Sequence, residues 1–509
     1  MVEDGGYVFR GVPYTMAPVG ERRWRISTPH RNISECWAGT YAAHNASTPC
    51  WQFYSDGRYD GAEDCLTVDV YTPVVAYEKA LPVVVLVRGE TFNGGMQGDL
   101  VPSVGLARRR NVVFVVVNYR LNVMGFLALR ELSQGSPGVS GVSGNYGMGD
   151  VITALQWVQM NIQHFGGNFN SVTLLGHMAG ATLVTALTST LKVKDLTAPV
   201  RGRPIEYRTR RLFHRAWIAS GSGVFVNESL YVSETLNTII RERAGCSNLP
   251  CLMRQTPEIL LEAVPPTWPR FFYDLPPEEG DKVRHSWLTI DGHILTQEPT
   301  DAWADDRFRH DVPLVFGTTT HAEYRGWTNQ AKRFDPFVNT TDKMHNLVHS
   351  HLDSLSVDLA TEAIQKYMPY TNGGKEVLWP QYYSMVTDLR TLCPLAELAR
   401  KAATSFASPV YFYVAEQGRA TLVGNVTDPF ADVMAIIGMY NASGAAEERF
   451  RDNIQDLFYG FVYEGTLENN ERYPRGLYHV GERVDVLSGY PKCKLWLDSL
   501  AYPRYARMD

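Results

Sequence analysis

Residues Asp150–Phe165 read DVITALQWVQMNIQHF, and the chain continues through Gly166-Gly167 to the apolar run VTLL at Val172–Leu175. The apolar residues of the first stretch recur at helical spacing, with Asp150 as the expected N-cap and the two glycines as the stop signal. The second stretch has the length and composition of a buried strand. The pair therefore predicts a helix that leads into an internal strand of a sheet.

Further strand candidates of the same kind lie on both sides of this pair. Near-continuous apolar strands joined by helical crossovers are typical of a parallel sheet that is covered on both faces. The candidates are Thr67–Tyr71, Pro82–Val87, Val112–Asn118 and Trp217–Ser220, with Pro313–Phe316 and Val410–Val414 as later additions. No linker rich in Pro, Gly or Ser is long enough to separate two domains. Residues 1–509 are therefore predicted to form one α/β domain.

Charge and hydropathy exclude two classes of protein for these residues. The chain carries 48 Lys and Arg against 54 Asp and Glu, a net charge of −6, which is not the basic footprint of a nucleic-acid-binding protein. The longest apolar runs, such as Pro82–Val87, fall far short of a membrane span. The N-terminus also lacks a basic-then-apolar signal segment. We therefore expect any targeting segment or anchor to lie outside these residues.

Cysteines and glycosylation sequons together favour an oxidising, extracellular setting. The seven cysteines are Cys36, Cys50, Cys65, Cys246, Cys251, Cys393 and Cys493, and none has zinc-site spacing to nearby histidines. The N-x-S/T sequons are at Asn32, Asn45, Asn227, Asn339, Asn425 and Asn441, against about three expected by chance. The sequence gives no metal site and no cofactor site.

Five segments together carry a family resemblance. They are Phe9–Pro18 (FRGVPYTMAP), Glu63–Pro73 (EDCLTVDVYTP), Asn118–Leu129 (NYRLNVMGFLAL), Ala154–Gly167 (ALQWVQMNIQHFGG) and Leu212–Gly221 (LFHRAWIASG). As a set they resemble the cholinesterase/carboxylesterase family. The resemblance implies an α/β-hydrolase fold, with a central, twisted, mostly parallel sheet flanked by helices. Fold alone does not fix function.

The nucleophile motif of that family is altered. The family has G-x-S-x-G at a sharp strand-to-helix turn, and here Val172–Gly180 reads VTLLGHMAG. Gly176 and Gly180 match the glycines, but Met178 stands at the nucleophile position. A thioether has no proton to lose and cannot form an acyl-enzyme by this route. His177 takes a position where the family usually has an acidic residue that does not attack substrate.

The oxyanion motif is altered as well. The glycine-rich motif of the family corresponds to Arg88-Gly89-Glu90-Thr91-Phe92, so Glu90 and Thr91 replace two glycines. Backbone donors must approach a developing oxyanion closely, and a carboxylate at that point repels negative charge. This argues against acyl transfer independently of Met178.

The remaining triad positions are degenerate or ambiguous. In Val315–Trp327 a gap-free match puts Ala322 at the acid position, and a shift of one residue puts Glu323 there. The histidine position matches Pro429, and His321 is the nearest rival. The resemblance therefore implies a domain that is not an enzyme.

Some members of the family have lost the triad and are cell-surface adhesion proteins in nervous systems and epithelia. The resemblance to them implies a non-enzymatic ectodomain in heterophilic adhesion during neural and epithelial development, including axon guidance. The expected partner is a secreted immunoglobulin-superfamily protein. The expected anchor is a type II single-pass span on the N-terminal side.

The terminal segment Leu495–Asp509 begins as a helix that Pro503 should end. Because this helix is short for a dimerisation bundle, we expect a monomeric ectodomain.

The resemblance to this family also implies the disulfide pairing. It pairs Cys50 with Cys65, Cys246 with Cys251, and Cys393 with Cys493, which leaves Cys36 as a free, buried thiol. The family's choline-binding tryptophan has no clear equivalent.

Alternative interpretations remain open. One is an esterase with an atypical nucleophile, for which Ser220 and Ser222 are candidates. Another is a small-ligand carrier that uses the relict gorge. The arginine-rich segment Arg201–Arg211 is either a solvated loop or a contact patch for an acidic partner.

Overall fold

A computed structural model of the chain describes residues 1–30, 37, 39–54, 57–75, 78–95, 100–135, 142–193, 211–225, 228–268, 274–276, 285–324, 337–368, 374–499, 501–502 and 504–507. Several sequence predictions lie outside these residues. They are Cys36, the sequons at Asn32 and Asn227, and the arginine-rich segment except Arg211.

One large mixed sheet organises the described part of the chain. It has 11 strands, and the seven in the middle run parallel to their neighbours. Antiparallel strands extend it at both edges. In spatial order the strands are Val2–Glu3, Gly6–Pro13, Thr67–Thr72, Val113–Val117, Leu81–Val87, Gly167–His177, Arg215–Ala219, Leu314–Thr319, Val410–Ala415, Leu477–Val480 and Val484–Leu487.

All seven predicted strands are present, with ends shifted by a few residues. Val172–Leu175 is the centre of the longer strand Gly167–His177. The central strands are buried on both faces. In Leu81–Val87, for example, Val83 and Val85 belong to one hydrophobic core and Val84 to the other, because successive side chains point to opposite faces.

Helices cover both faces. The α-helices are Val104–Arg110, Asn122–Phe126, Arg130–Gly135, Tyr146–Asn161, Ala179–Leu187, Leu230–Leu236, Thr238–Arg243, Leu249–Arg254, Pro257–Glu262, Pro299–Ala302, Thr341–Leu352, Val357–Tyr367, Lys375–Thr387, Cys393–Ser405, Ala431–Ile437, Ala445–Glu464 and Cys493–Leu497, with a π-helix at Asp388–Leu392. Two small hairpins pair Gln52–Phe53 with Tyr59–Asp60 and Arg419–Thr421 with Gly424–Val426. Of the helices that the structure describes, none combines the length and apolar character needed to cross a membrane.

The predicted helix Asp150–Phe165 begins earlier than expected. The α-helix spans Tyr146–Asn161 and continues as a 3-10 turn at Ile162–Phe165. Its N-cap is Asn145, with φ 52° and ψ 20°, so the prediction that Asp150 caps the helix is wrong. Asp150 lies inside the helix, where its buried carboxylate pairs with Arg120 at 2.7 Å.

Three disulfides cross-link the described part of the chain. They join Cys50 to Cys65, Cys246 to Cys251, and Cys393 to Cys493, with sequence separations of 15, 5 and 100 residues. These are the pairs that the family resemblance implies.

Candidate functional site

The turn between strand Gly167–His177 and helix Ala179–Leu187 is the centre of the candidate site. Met178 sits at this turn with φ 49° and ψ −116°, a conformation that is strained for a residue with a side chain. Its amide donates to the Ala219 carbonyl at 2.9 Å, and its carbonyl accepts the Thr182 amide at 3.0 Å. The sharp elbow of the family is therefore present, with a methionine at its apex.

Two glycines allow this turn to pack closely. A Cβ on Gly176 would lie 2.6 Å from the Ala181 Cα, and a Cβ on Gly180 would lie 1.9 Å from the Val87 carbonyl oxygen. Both distances are shorter than van der Waals contact, so a residue with a Cβ at either position would clash. The glycines of VTLLGHMAG thus serve the packing of strand against helix.

Met178 is fully buried in an apolar cluster that includes Phe430. The His177 ring lies beside Phe430, with ring centroids 4.8 Å apart. Pro429, at the predicted base position, precedes Phe430 and is also buried. The structure therefore brings the predicted nucleophile and base positions to one place, where hydrophobic side chains fill the space.

The loop Arg88–Phe92 lies next to the elbow. A Cβ on Gly89 would lie 3.6 Å from the Ala179 Cβ. The Thr91 amide donates to the Gly94 carbonyl at 3.0 Å. One backbone donor of the oxyanion motif is therefore already engaged inside its own loop.

Glu90 is buried, and its side chain folds against Gly95. A Cβ on Gly95 would lie 2.4 Å from the Glu90 Cβ. A carboxylate is thus packed into the segment that would have to bind an oxyanion.

At the acid position both candidates are buried. Ala322 carries no functional group, whereas the Glu323 carboxylate accepts a hydrogen bond from the Thr391 hydroxyl at 2.5 Å. The Glu323 amide donates to the Thr387 hydroxyl at 3.2 Å. Helical residues 387–391 therefore hold Glu323.

His321 has its own set of partners. Its Nδ1 accepts the Thr427 amide at 2.9 Å, and its Nε2 lies 3.3 Å from the Ser384 hydroxyl. Because Nδ1 is an acceptor, the ring proton of the neutral imidazole is on Nε2. Burial lowers the pKa of His321 to about 4. A neutral ring in this tautomer cannot accept the Ser384 proton at Nε2.

Ser220 and Ser222 are structural. Ser220 is buried and has a positive φ of 56°. Its hydroxyl forms a hydrogen bond of 2.9 Å with the Thr318 hydroxyl. Ser222 is buried, and its amide donates to the Thr182 hydroxyl at 2.9 Å. Ser220 thus joins the end of its strand to strand Leu314–Thr319, and Ser222 joins the same segment to the helix that follows the elbow.

Arg507 reaches this site from the C-terminal segment. Its Nη2 donates to the Glu90 carbonyl at 2.7 Å, and its Nη1 lies 3.9 Å from Glu323 Oε1. Sequence reasoning missed this residue, because nothing in the segment signals a contact with a loop more than 400 positions away. The terminal helix spans only Cys493–Leu497, so the prediction that Pro503 ends it is wrong.

Two buried carboxyls lie near the site. Burial raises the pKa of Asp388 to about 7 and that of Asp432 to about 6. Tyr367 donates to Asp388, and Tyr413 donates to Asp432 at 2.6 Å. These tyrosines satisfy the acids within the core, which indicates a structural role.

The described sequon asparagines, Asn45, Asn339, Asn425 and Asn441, are all exposed. Within the described residues, no group of three or more His, Cys, Asp or Glu side chains is placed to hold a metal ion.

Sequence comparisons place these observations in a wider group. The profile described as "Carboxylesterase family" matches residues 2–476. The chain is 36% identical to Neurotactin of Drosophila melanogaster over 510 residues, which covers 100% of this chain and 56% of that protein. It is 28% identical to an acylcarnitine hydrolase of Rattus norvegicus, over 80% of this chain and 68% of the relative. A fumonisin B1 esterase of Sphingopyxis macrogoltabida is 39% identical over 40% of this chain and 38% of its own length.

A structural comparison agrees on the architecture. The crystal structure of a Geobacillus stearothermophilus carboxylesterase superposes with a TM-score of 0.69 at 22% identity, over 96% of this chain and 95% of that one. The α/β-hydrolase fold expected from the sequence is thereby confirmed.

Proposed function

The chain belongs to the carboxylesterase family, and from this premise we propose that it is a non-enzymatic adhesion and recognition ectodomain at the cell surface. Its proposed partner is a secreted immunoglobulin-superfamily protein, bound heterophilically during neural and epithelial development, including axon guidance. The similarity to Neurotactin extends along the entire chain, whereas the chain spans 56% of that protein. The proposal therefore concerns the part that corresponds to the hydrolase-like domain.

One observation carries the non-enzymatic part of the proposal. The elbow turn keeps its strained geometry, yet the residue at its apex is the buried thioether of Met178. Loss of a triad nucleophile alone costs about six decades of kcat in a studied serine hydrolase. The two candidate substitutes, Ser220 and Ser222, are buried. The Ser220 hydroxyl pairs with the Thr318 hydroxyl, and the Ser222 amide donates to the Thr182 hydroxyl.

The missing base supports the same proposal. Pro429 cannot accept a proton, and the accepting nitrogen of His321 is engaged with the Thr427 amide. Glu90 adds a carboxylate to the oxyanion loop. Each defect opposes acyl transfer by itself, so restoring one group would leave the others in place.

The carrier alternative has less support, because a carrier needs an open cavity. Met178, Pro429 and Phe430 are buried, and Arg507 binds the carbonyl of Glu90 in the neighbouring loop. These contacts favour a closed interior and an outer surface that does the binding.

The first experiment tests for catalysis. The purified glycosylated ectodomain is incubated with p-nitrophenyl acetate beside a heat-denatured sample of the same protein. We expect equal hydrolysis rates. A rate above the denatured control that scales with the fraction of folded protein would overturn the non-enzymatic assignment.

The second experiment tests for adhesion. The ectodomain is immobilised, and a panel of secreted and cell-surface ectodomains is passed over it, with the protein itself included. We expect saturable, salt-resistant binding to an immunoglobulin-domain protein. Binding only to itself would replace the heterophilic proposal with a homophilic one, and no binding by folded protein would contradict adhesion.

A further inference from the structure

Residues 501–502 and 504–507 lie against the relict site. Of the residues described after helix Cys493–Leu497, Ala501, Tyr505 and Ala506 are buried. The Tyr505 amide donates to the Ala501 carbonyl at 2.9 Å. We call residues 501, 502 and 504–507 the C-terminal plug.

Arg507 places its guanidinium between two acceptors from different parts of the site. These are the Glu90 carbonyl oxygen, 2.7 Å from Nη2, and the Glu323 carboxylate, 3.9 Å from Nη1. The Arg507 and Glu323 side chains are 8% and 1% exposed. The contact with the Glu90 carbonyl is a hydrogen bond from a charged donor, which is strong where water is excluded. The contact with Glu323 is an ion pair at 3.9 Å, beyond hydrogen-bond distance.

Arg390 holds the other side of the plug. Its Nη1 donates to the Tyr505 carbonyl at 3.3 Å, and its own carbonyl accepts the Arg507 amide at 2.7 Å. Arg390 lies in the π-helix Asp388–Leu392, as does Thr391, which binds Glu323. Short π-helices often occur at functional sites, and this one fixes both the carboxylate and the plug.

We infer that the relict active site is a guanidinium-binding site that Arg507 occupies in cis, and that the plug closes the elbow turn to outside molecules. Glu90 is the link to the elbow, because the preceding Gly89 packs against Ala179, the residue after Met178. Without Arg507, the same acceptors would take an alkylguanidinium, including the arginine side chain of another peptide. This inference goes beyond the adhesion role and does not depend on it.

A buried thiol at the elbow reports on the plug. Met178→Cys is introduced together with Cys36→Ser, so that the new thiol is the only cysteine outside the three disulfides. Its modification by methyl methanethiosulfonate is timed with Arg507 intact and with Arg507→Ala. We expect about tenfold faster modification in the alanine variant, because loss of the Arg507 contacts allows the C-terminal plug to open locally more often. Millimolar ethylguanidinium should slow it again, whereas ethylammonium should not.

A second variant provides an independent test in case Arg507→Ala does not fold. Glu323→Gln keeps the shape of the acceptor but removes its charge, and it should give an intermediate rate. Far-UV circular dichroism checks that each variant is folded. Equal rates in the parent and in both variants, or no protection by ethylguanidinium, would overturn the inference. Partner binding in the screen is a separate readout, so a failure of either proposal can be told apart from a failure of the other.

Discussion

Arg120 and Asp150 form a bidentate ion pair in the interior of the fold. Arg120 Nε lies 2.7 Å from Asp150 Oδ2, and Nη2 lies 2.8 Å from Oδ1. The two side chains are 4% and 0% exposed. The pair connects the turn after strand Val113–Val117 to helix Tyr146–Asn161.

Asp150→Asn should therefore destabilise the protein strongly. The amide keeps the size of the carboxylate but leaves the Arg120 guanidinium as an uncompensated buried charge. Removing one partner of a buried pair costs about 3–5 kcal/mol. Urea unfolding followed by tryptophan fluorescence measures the change in the free energy of unfolding.

An exposed ion pair provides the matched control. Arg483 and Asp485 lie 2.7 Å apart with side chains 83% and 45% exposed. Asp485→Asn should cost less than about 1 kcal/mol, because solvent screens surface pairs. Equal losses in the two variants would mean that burial of the Arg120–Asp150 pair is not what matters.

The same region explains why the helix start was misplaced from sequence. The first turn contains Gly147 and Gly149, which disfavour a helix by propensity. In the fold Gly147 is required, because a Cβ there would lie 2.3 Å from the Arg120 carbonyl oxygen. A contact between residues that are distant in sequence thus overrides the local signal, and Asp150 only looks like a cap.

The sheet and the elbow turn could be predicted because their signals are local. Apolar runs mark the central strands, and G-x-x-x-G around Met178 marks the elbow. The π-helix Asp388–Leu392 and the contact of Arg507 with Glu90 had no such signal. Both depend on tertiary contacts that leave no periodic pattern in the sequence.

The raised pKa of Asp388 should make the free energy of unfolding depend on pH. Burial raises its pKa from 3.8 to about 7, so the folded protein keeps the proton over a range in which the unfolded chain has lost it. The stability that this group contributes is complete below about pH 4 and is lost as the pH rises to 7. Relative to Asp388→Asn, the unsubstituted protein should lose several kcal/mol across that window, at about 1.4 kcal/mol per pKa unit.

Urea unfolding at intervals from pH 4 to 8 measures this difference. Asparagine preserves an acceptor for the Tyr367 hydroxyl, so the comparison isolates the titration. A difference between the two proteins that does not change with pH would contradict the prediction.

His321 should act in the opposite direction. Burial lowers its pKa from 6.5 to about 4. Between these two pH values the His321 ring is protonated in the unfolded chain and neutral in the folded protein. Its contribution to stability is present above about pH 6.5 and is lost as the pH falls to 4. In His321→Asn the amide oxygen can still accept the Thr427 amide. The unsubstituted protein should lose stability relative to this variant on acidification, and the same urea series measures it. A relative gain on acidification would refute the assignment of His321 as neutral.

Met178→Ser should not restore esterase activity. The serine hydroxyl would stand at the elbow without a general base, and the neighbouring loop carries the Glu90 carboxylate and a Thr91 amide already engaged with Gly94. The substitution should also cost about 2–4 kcal/mol of stability, because it removes most of a buried side chain. Hydrolysis of p-nitrophenyl acetate and urea unfolding measure the two effects.

Met178→Ala is the matched control for this variant, since it opens a similar cavity but supplies no hydroxyl. The serine and alanine variants should hydrolyse the ester at the same background rate. Met178→Ser combined with Pro429→His adds a base from the family pattern, and it should remain slow because the altered loop at Glu90 and Thr91 still cannot stabilise an oxyanion. A burst of p-nitrophenol from Met178→Ser alone, equal to the concentration of folded protein and absent from the alanine variant, would show that a base already lies within reach. In that case the loss of catalysis would rest on a single residue.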